Sequence, residues 1–151
     1  MKDAYSGIVN LVFIALFLLV ISCVFALIVS YTKAFKMKNN VISVIERYEG
    51  SGCTGDKKNS ECINMIKKGA ARIGYSASEN LSCPVDYTKV EDLFCVKQIV
   101  SRKKDKYHNI RYTYDVITQV DLNFSLVSSI FGFNIFRVSG ETQEIELPTT
   151  K

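Results

Sequence analysis

From Ile8 to Tyr31 the chain carries no charged side chain, and only Asn10, Ser22 and Ser30 interrupt the apolar run. A bilayer's hydrocarbon core, about 30 Å thick, is crossed by roughly 20 apolar residues in a helix. A helix apolar on every side needs hydrocarbon or protein all round it. Residues 8–31 are therefore read as a transmembrane helix, preceded by a short segment, residues 1–7. Beyond Tyr31 the pattern turns amphipathic: Ala34, Phe35, Val41, Ile42, Ile45 and Tyr48 keep the three-and-four spacing of one helix face. Lys36, Lys38, Asn39, Asn40, Ser43, Glu46 and Arg47 take much of the other face, and Gly50, Ser51 and Gly52 supply a stop. One helix from about Ala4 to Glu49 is expected, roughly 70 Å long at 1.5 Å per residue. Its first half sits in lipid. Residues 32–50 continue it and give the stripe Phe35, Ile42, Ile45 and Tyr48 to a domain formed by residues 51–151.

A second helix is expected after Asn59 or Ser60 as cap, with Glu61 in its first turn and Ile63, Ile66, Ala70 and Ile73 on one face. Gly74 supplies its left-handed stop and Tyr75 a hydrophobic contact. Ser76–Asn80 and Cys83–Lys89 read as loop. From Leu93 the period becomes two: Leu93–Ser101 suits a strand, and Arg102–Lys106 a charged turn. Then Ile110, Tyr112, Tyr114, Val116, Val120, Leu122 and Phe124 share one face of a long strand, interrupted only by Thr118. Arg111, Thr113, Asp115, Gln119, Asp121 and Asn123 take the other, with Ile117 the exception. This pattern predicts a half-buried antiparallel strand, bent or bulged. Ser125–Gly132 reads as a connection, and Phe133–Val138 and Thr142–Leu147 as one or two strands broken near Gly140. The fold class is α+β: a long helix laid across one face of a small antiparallel sheet, with one additional short helix. The helix stripe is expected to meet the sheet face of Tyr112, Tyr114 and Val116.

The net charge of +4 is too mild to point to nucleic acid. Cysteine usage says more. Four of the five cysteines, Cys53, Cys62, Cys83 and Cys95, lie beyond the apolar run, none in a C-x-x-C pair, and the chain has one histidine, so the spacings do not read as a zinc site. Three pairings are open; Cys53–Cys62 and Cys83–Cys95 are expected, because each closes a short loop. Disulfides persist mainly outside the cytoplasm, which argues for a cytoplasmic N-terminus and an extracytoplasmic domain at the cell membrane. Lys33, Lys36 and Lys38 argue the reverse by the positive-inside rule, but long domains translocate largely regardless of charge. The competing reading is four free thiols in a cytoplasmic domain. Two others concern the apolar run: a secretory signal, for which it is too long and lacks an A-x-A exit, and a lipoprotein signal. Val20-Ile21-Ser22-Cys23 reads as a lipobox, although Val24–Tyr31 stays apolar where such chains usually turn polar.

No catalytic motif is present. His108 reads as an exposed residue at a strand start, and Glu91-Asp92 and Glu46/Glu49 as solvated acidic pairs. Arg102, Lys103, Lys104 and Lys106 beside Tyr107 read as a soluble hairpin turn rather than a phosphate contact. An enzyme is not expected, nor a cofactor, a metal, a nucleic-acid partner or a small-molecule substrate. The bilayer is the one partner the composition implies directly.

An apolar helix starting within ten residues of the first methionine, an amphipathic half and then a small sheet together resemble a type IV pilin or pseudopilin. More narrowly the chain resembles TadE-like minor pilins, through Ala34-Phe35-Lys36-Met37-Lys38-Asn39-Asn40-Val41-Ile42 and the closing Phe136-Arg137-Val138-Ser139-Gly140-Glu141-Thr142. The resemblance implies an accessory subunit of a bacterial pilus or secretion assembly, whose partners are other pilin-like or assembly-machine membrane proteins. It also implies a leader cut between Gly7 and Ile8. The fifth residue after that cut is Val12, where prepilin substrates usually carry glutamate. A glutamate in lipid needs a partner such as a neighbouring subunit's amino terminus. A minor, tip or accessory subunit fits its absence better than a major one. The alternative is a stand-alone anchored domain that binds a ligand or partner outside any filament.

Overall fold

One helix, α1 (Lys2–Arg47), carries both the apolar run and its amphipathic continuation in the computed structural model. Residues 2–50, 52–53, 61–76, 81–101, 111–121 and 135–146 are described. α1 is long and apolar enough to cross a membrane, and no residue of its most apolar 18-residue stretch is buried. It ends in a Schellman motif: Gly50 N–H donates to Ile45 O at 2.9 Å and Glu49 N–H to Glu46 O at 3.2 Å. The left-handed position of that motif is Glu49, at φ 51°, and Gly50 follows at φ 74°. The turn thus begins one residue before the glycine expected to make it. A Cβ at Gly50 would overlap the Tyr114 hydroxyl, so this glycine also answers to a close approach.

The second helix, α2 (Glu61–Ile73), buries Cys62, Ile63, Ile66 and Ala70. Gly74 at φ 65° and Tyr75 close it in the same way, with Tyr75 N–H on Ala70 O at 3.0 Å. This matches the reading from the sequence; the expected caps Asn59 and Ser60 lie outside the described residues.

Five strands follow among the described residues: β1 (Thr88–Val90), β2 (Phe94–Ser101), β3 (Arg111–Asp121), β4 (Ile135–Glu141) and β5 (Ile145–Glu146). They pair antiparallel in the order β1-β2-β3-β4, with β5 also on β3. The architecture is α+β. β1 corrects the expected loop over Cys83–Lys89: the loop ends at Tyr87, two residues short, because β1 begins at Thr88. Glu91 and Asp92, both at positive φ (48° and 55°), turn β1 into β2 with Leu93 N–H on Val90 O at 2.9 Å. These are the signs of a type I′ turn, which usually takes Asn-Gly.

β3 is not bulged. It runs in unbroken register with β2 from Cys95↔Ile117 to Ser101↔Arg111. The irregularity lies in its other partner: Glu141 faces Asp115, yet Ile145 faces Tyr112, one residue out of step. The extra residue falls in Thr142–Glu144, not at Gly140. Gly140 is inside β4 because α1 crosses there; a Cβ on it would stand 2.8 Å from Lys38 Cδ and 3.1 Å from Ile42 Cδ1. Ile110, Leu122, Asn123, Phe124, the charged turn at 102–106, His108, the 125–132 connection, Phe133, Asn134 and Leu147 lie outside the described residues.

Candidate functional site

The place where the molecule joins its apolar helix to its domain is the α1–sheet junction. Ala34, Met37, Val41 and Ile45 are fully buried there, each at 0% exposure. Their spacing of three, four and four residues keeps one stripe over β3, where Tyr114, Val116 and Val120 are buried in the same cluster and Tyr112 is partly buried. Ile42, Val44 and Tyr48 flank the stripe, half-buried. The expected contact is thus found for Ile42, Ile45, Tyr48, Tyr112, Tyr114 and Val116. Phe35 is corrected: it stands 42% exposed beside the junction, stacked on Tyr31 with ring centres 6.4 Å apart. Met37, absent from the expected stripe, replaces it. Phe35 and Met37 both fit a three-and-four spacing, so periodicity leaves the rotation of the helix open by about half a face.

Polar contacts fix that rotation. Thr118, the one polar break in the apolar face of β3, is fully buried and donates its hydroxyl to Ala34 O at 3.1 Å, with Val138 O at 3.4 Å as the alternative acceptor. A small residue at position 34 lets the strand come this close. Lys38, placed on the opposite face by its charge, instead lays its stem over Gly140 and holds its ammonium 4.3 Å from the Phe35 ring centre. Glu46 is likewise no free surface acid. Its Oε1 accepts the Gln143 N–H at 2.9 Å, in the out-of-step segment of the return strand. There Thr142 N–H donates to Tyr114 O at 2.9 Å, and Thr142 Oγ1 accepts from Tyr114 N–H at 2.9 Å, standing in for the displaced ladder carbonyl. Arg111 closes the segment with ion pairs to Glu144 at 3.1 Å and Glu146 at 2.6 Å. Burial, with Tyr112 adding to it, raises the pKa of the Tyr114 phenol at this junction.

The other face of the sheet is closed by a disulfide. Cys83 bonds to Cys95, and Cys53 to Cys62, the pairing expected from loop length. The first bridge holds residues 81–87 over β2 and β3, where Leu81, Cys95 and Ile117 form a second small core with Cys83 and Tyr87 beside it. This explains Ile117 as an apolar residue on the polar face. It also corrects Gln119, expected on the solvated face: it is fully buried, and its Nε2 donates to Ser82 O at 2.8 Å. Tyr75 inserts its hydroxyl where the β2–β3 ladder stops, donating to Gln119 O at 2.6 Å and accepting from Gln119 N–H at 3.2 Å. The Tyr87 hydroxyl donates to Asp115 Oδ2. That bond, helped by burial and by the negative charges of Asp115, Glu141 and Asp86, pushes its pKa up to about 12. Glu91 and Asp92 pair with Lys67 and Lys89 and serve the turn.

Gly7 and Ile8 lie in regular helix near the start of α1, both exposed. The free Cys23 lies midway along the apolar run, half-buried. No family model, curated protein or solved structure matches the chain.

Proposed function

We propose that the chain is a single-pass accessory subunit of pilin-like, TadE-like type, working in a bacterial pilus or secretion assembly through protein–protein contact rather than catalysis. The observation that supports this most is the division of α1. Its apolar half leaves every large side chain from Ile8 to Val20 uncovered, while its second half is built into the core of a small domain. A helix so arranged can be taken up by other membrane helices and carry a rigidly attached domain with it. Two disulfides support an extracytoplasmic domain and a cytoplasmic N-terminus at the cell membrane. One feature favours a second reading, an anchored binding domain outside any filament: Val12 stands where polymerising pilins usually carry glutamate.

A photo-reactive residue at Leu16 or Phe17 in the full chain, in its native membrane, separates the two. Adducts to pilin-like or assembly-machine membrane proteins are expected, identified by mass spectrometry. Adducts to lipid alone overturn the assembly reading in favour of the second. In the same cells an impermeant thiol reagent, applied after reduction, labels the half-buried Cys83; labelling only after lysis reverses the orientation.

A further inference from the structure

Between α1 and the end of α2 lies a cleft of about 390 Å³. Ile28, Val29 and Ile73 give its lining apolar surface, and Lys33, Lys36 and Arg72 give it positive charge. The geometry points to a binding site for the phosphate-bearing headgroup of an anionic phospholipid, with its acyl chain running down the apolar face of α1. The inference rests on the reading that α1 crosses the bilayer.

Position is the first argument. The apolar run ends at Tyr31, and tyrosine is enriched at the membrane–water interface. From Ile28 to Lys36 the helix rises roughly 12 Å, at 1.5 Å per residue. The headgroup layer on each side of the hydrocarbon core is about 5–8 Å thick. The cleft therefore begins in hydrocarbon and opens in the headgroup layer, apolar below and cationic above, as a phospholipid is.

Charge is the second. None of the three cations is paired with a carboxylate among the described residues. The neighbouring donor, Thr32, already gives its hydroxyl proton to Ile28 O at 2.7 Å, which leaves the cations as the free donors. The C-terminus of α2 would repel an anion by its dipole. Two of its last carbonyls are occupied, however, by Gly74 N–H and Tyr75 N–H, and Arg72 sits in its last turn. Lys33 and Lys36, which the positive-inside rule reads as a topology signal, thus acquire a local partner that is the same on either side of the membrane. Arg72 gives the site its specificity, because it comes from the domain and meets the lysines only where α2 docks on α1.

The full chain is reconstituted into phosphatidylcholine nanodiscs carrying trace spin-labelled phosphatidylglycerol or spin-labelled phosphatidylcholine. Electron paramagnetic resonance reads the fraction of each label that the protein restricts. Restriction of the anionic label well over tenfold beyond the neutral one is expected from three cations. Arg72→Gln lowers that preference about fivefold, as does each lysine replaced, near the effect of one basic residue at an anionic surface. Arg137→Gln, an equal loss of charge at an exposed position of β4 opposite Gln119, on the sheet face turned away from α1, leaves it unchanged, and excess inorganic phosphate does not displace the lipid. Equal restriction of the two labels overturns the proposal. Equal losses from Arg72→Gln and Arg137→Gln also overturn it, as diffuse attraction, and displacement by phosphate reassigns the site to a free anion. A chain that does not enter neutral nanodiscs removes the spanning reading and this site together, whereas entry without lipid preference removes the site alone.

Discussion

From Ile8 to Val20 every large apolar side chain of α1 is at least 44% exposed, while Ala34, Met37, Val41 and Ile45, further along the same helix, are 0% exposed. The two halves are one continuous hydrogen-bonded rod and owe their stability to different surroundings. In hydrocarbon the first half keeps its helix because unpaired backbone groups there cost several kcal/mol each; it needs no neighbour to be folded. The second half lies where water can satisfy its backbone, and it is held by packing on β3 and by the polar contacts of Thr118 and Glu46. Hydrophobicity serves attachment to a solvent in one half and attachment to a sheet in the other. The lesson is that the domain does not begin after the helix; its core includes the helix's last four turns.

The comparison breaks first by truncation. Fully burying a side chain such as Met37, Val41 or Ile45 is worth about 1.5–3 kcal/mol, so the three together contribute about 5–9 kcal/mol. Whole domains are stable by only about 5–15 kcal/mol. A chain beginning at Lys33 is expected to unfold cooperatively in thermal melts followed by near-ultraviolet circular dichroism. One beginning at Gly50 is expected to show no cooperative transition. Equal melting of the two would mean that the second half of α1 is as external to the domain as the first.

Single substitutions sharpen the same contrast. Ile45→Ala removes a fully buried side chain and is expected to lower the stability of the domain by about 2–5 kcal/mol. Phe17→Ala deletes a larger side chain that stands 67% exposed in the apolar half, and it is expected to leave domain melting within about 0.5 kcal/mol of the unaltered chain. Both are measured on the full chain in detergent micelles. A comparable loss from Phe17→Ala would show that the halves are coupled through the rod.

Much of this architecture is legible in the residues because its causes are local. The alternation of Tyr112, Tyr114, Val116 and Val120 sets the buried face of β3, Gly74 ends α2 where the apolar period ends, and short loops join the cysteines. What is not legible depends on a neighbour distant in sequence. Phe35 and Met37 are equally apolar, and only the approach of Thr118 to Ala34 decides which one turns inward. Gly140 looks like a break and is a clearance for Lys38 and Ile42. Gln119 looks solvated and is covered by residues 81–87, brought over by the Cys83–Cys95 bridge. The basic cleft joins Lys33 and Lys36 to Arg72, more than thirty positions along the chain, and no linear spacing marks it.

The smallest shift expected within the buried half lies at the end of α1, where the rod turns into the domain. Glu49 occupies the left-handed position of the closing motif at φ 51°, a conformation that costs a residue with a Cβ roughly 1–2 kcal/mol and glycine almost nothing. Part of that gain is offset, because glycine has more freedom to lose on folding. Glu49→Gly is therefore expected to stabilise the domain by about 0.5–1 kcal/mol, raising its melting temperature by a few degrees. The adjacent Gly50→Ala is expected to move it the other way: at φ 74° the new methyl is strained and overlaps the Tyr114 hydroxyl. Opposite shifts at neighbouring positions, read in the chain beginning at Lys33, would show that the turn itself is part of the junction. If neither substitution moves the melting temperature, the end of α1 is outside the cooperative unit, and the buried half stops at Ile45.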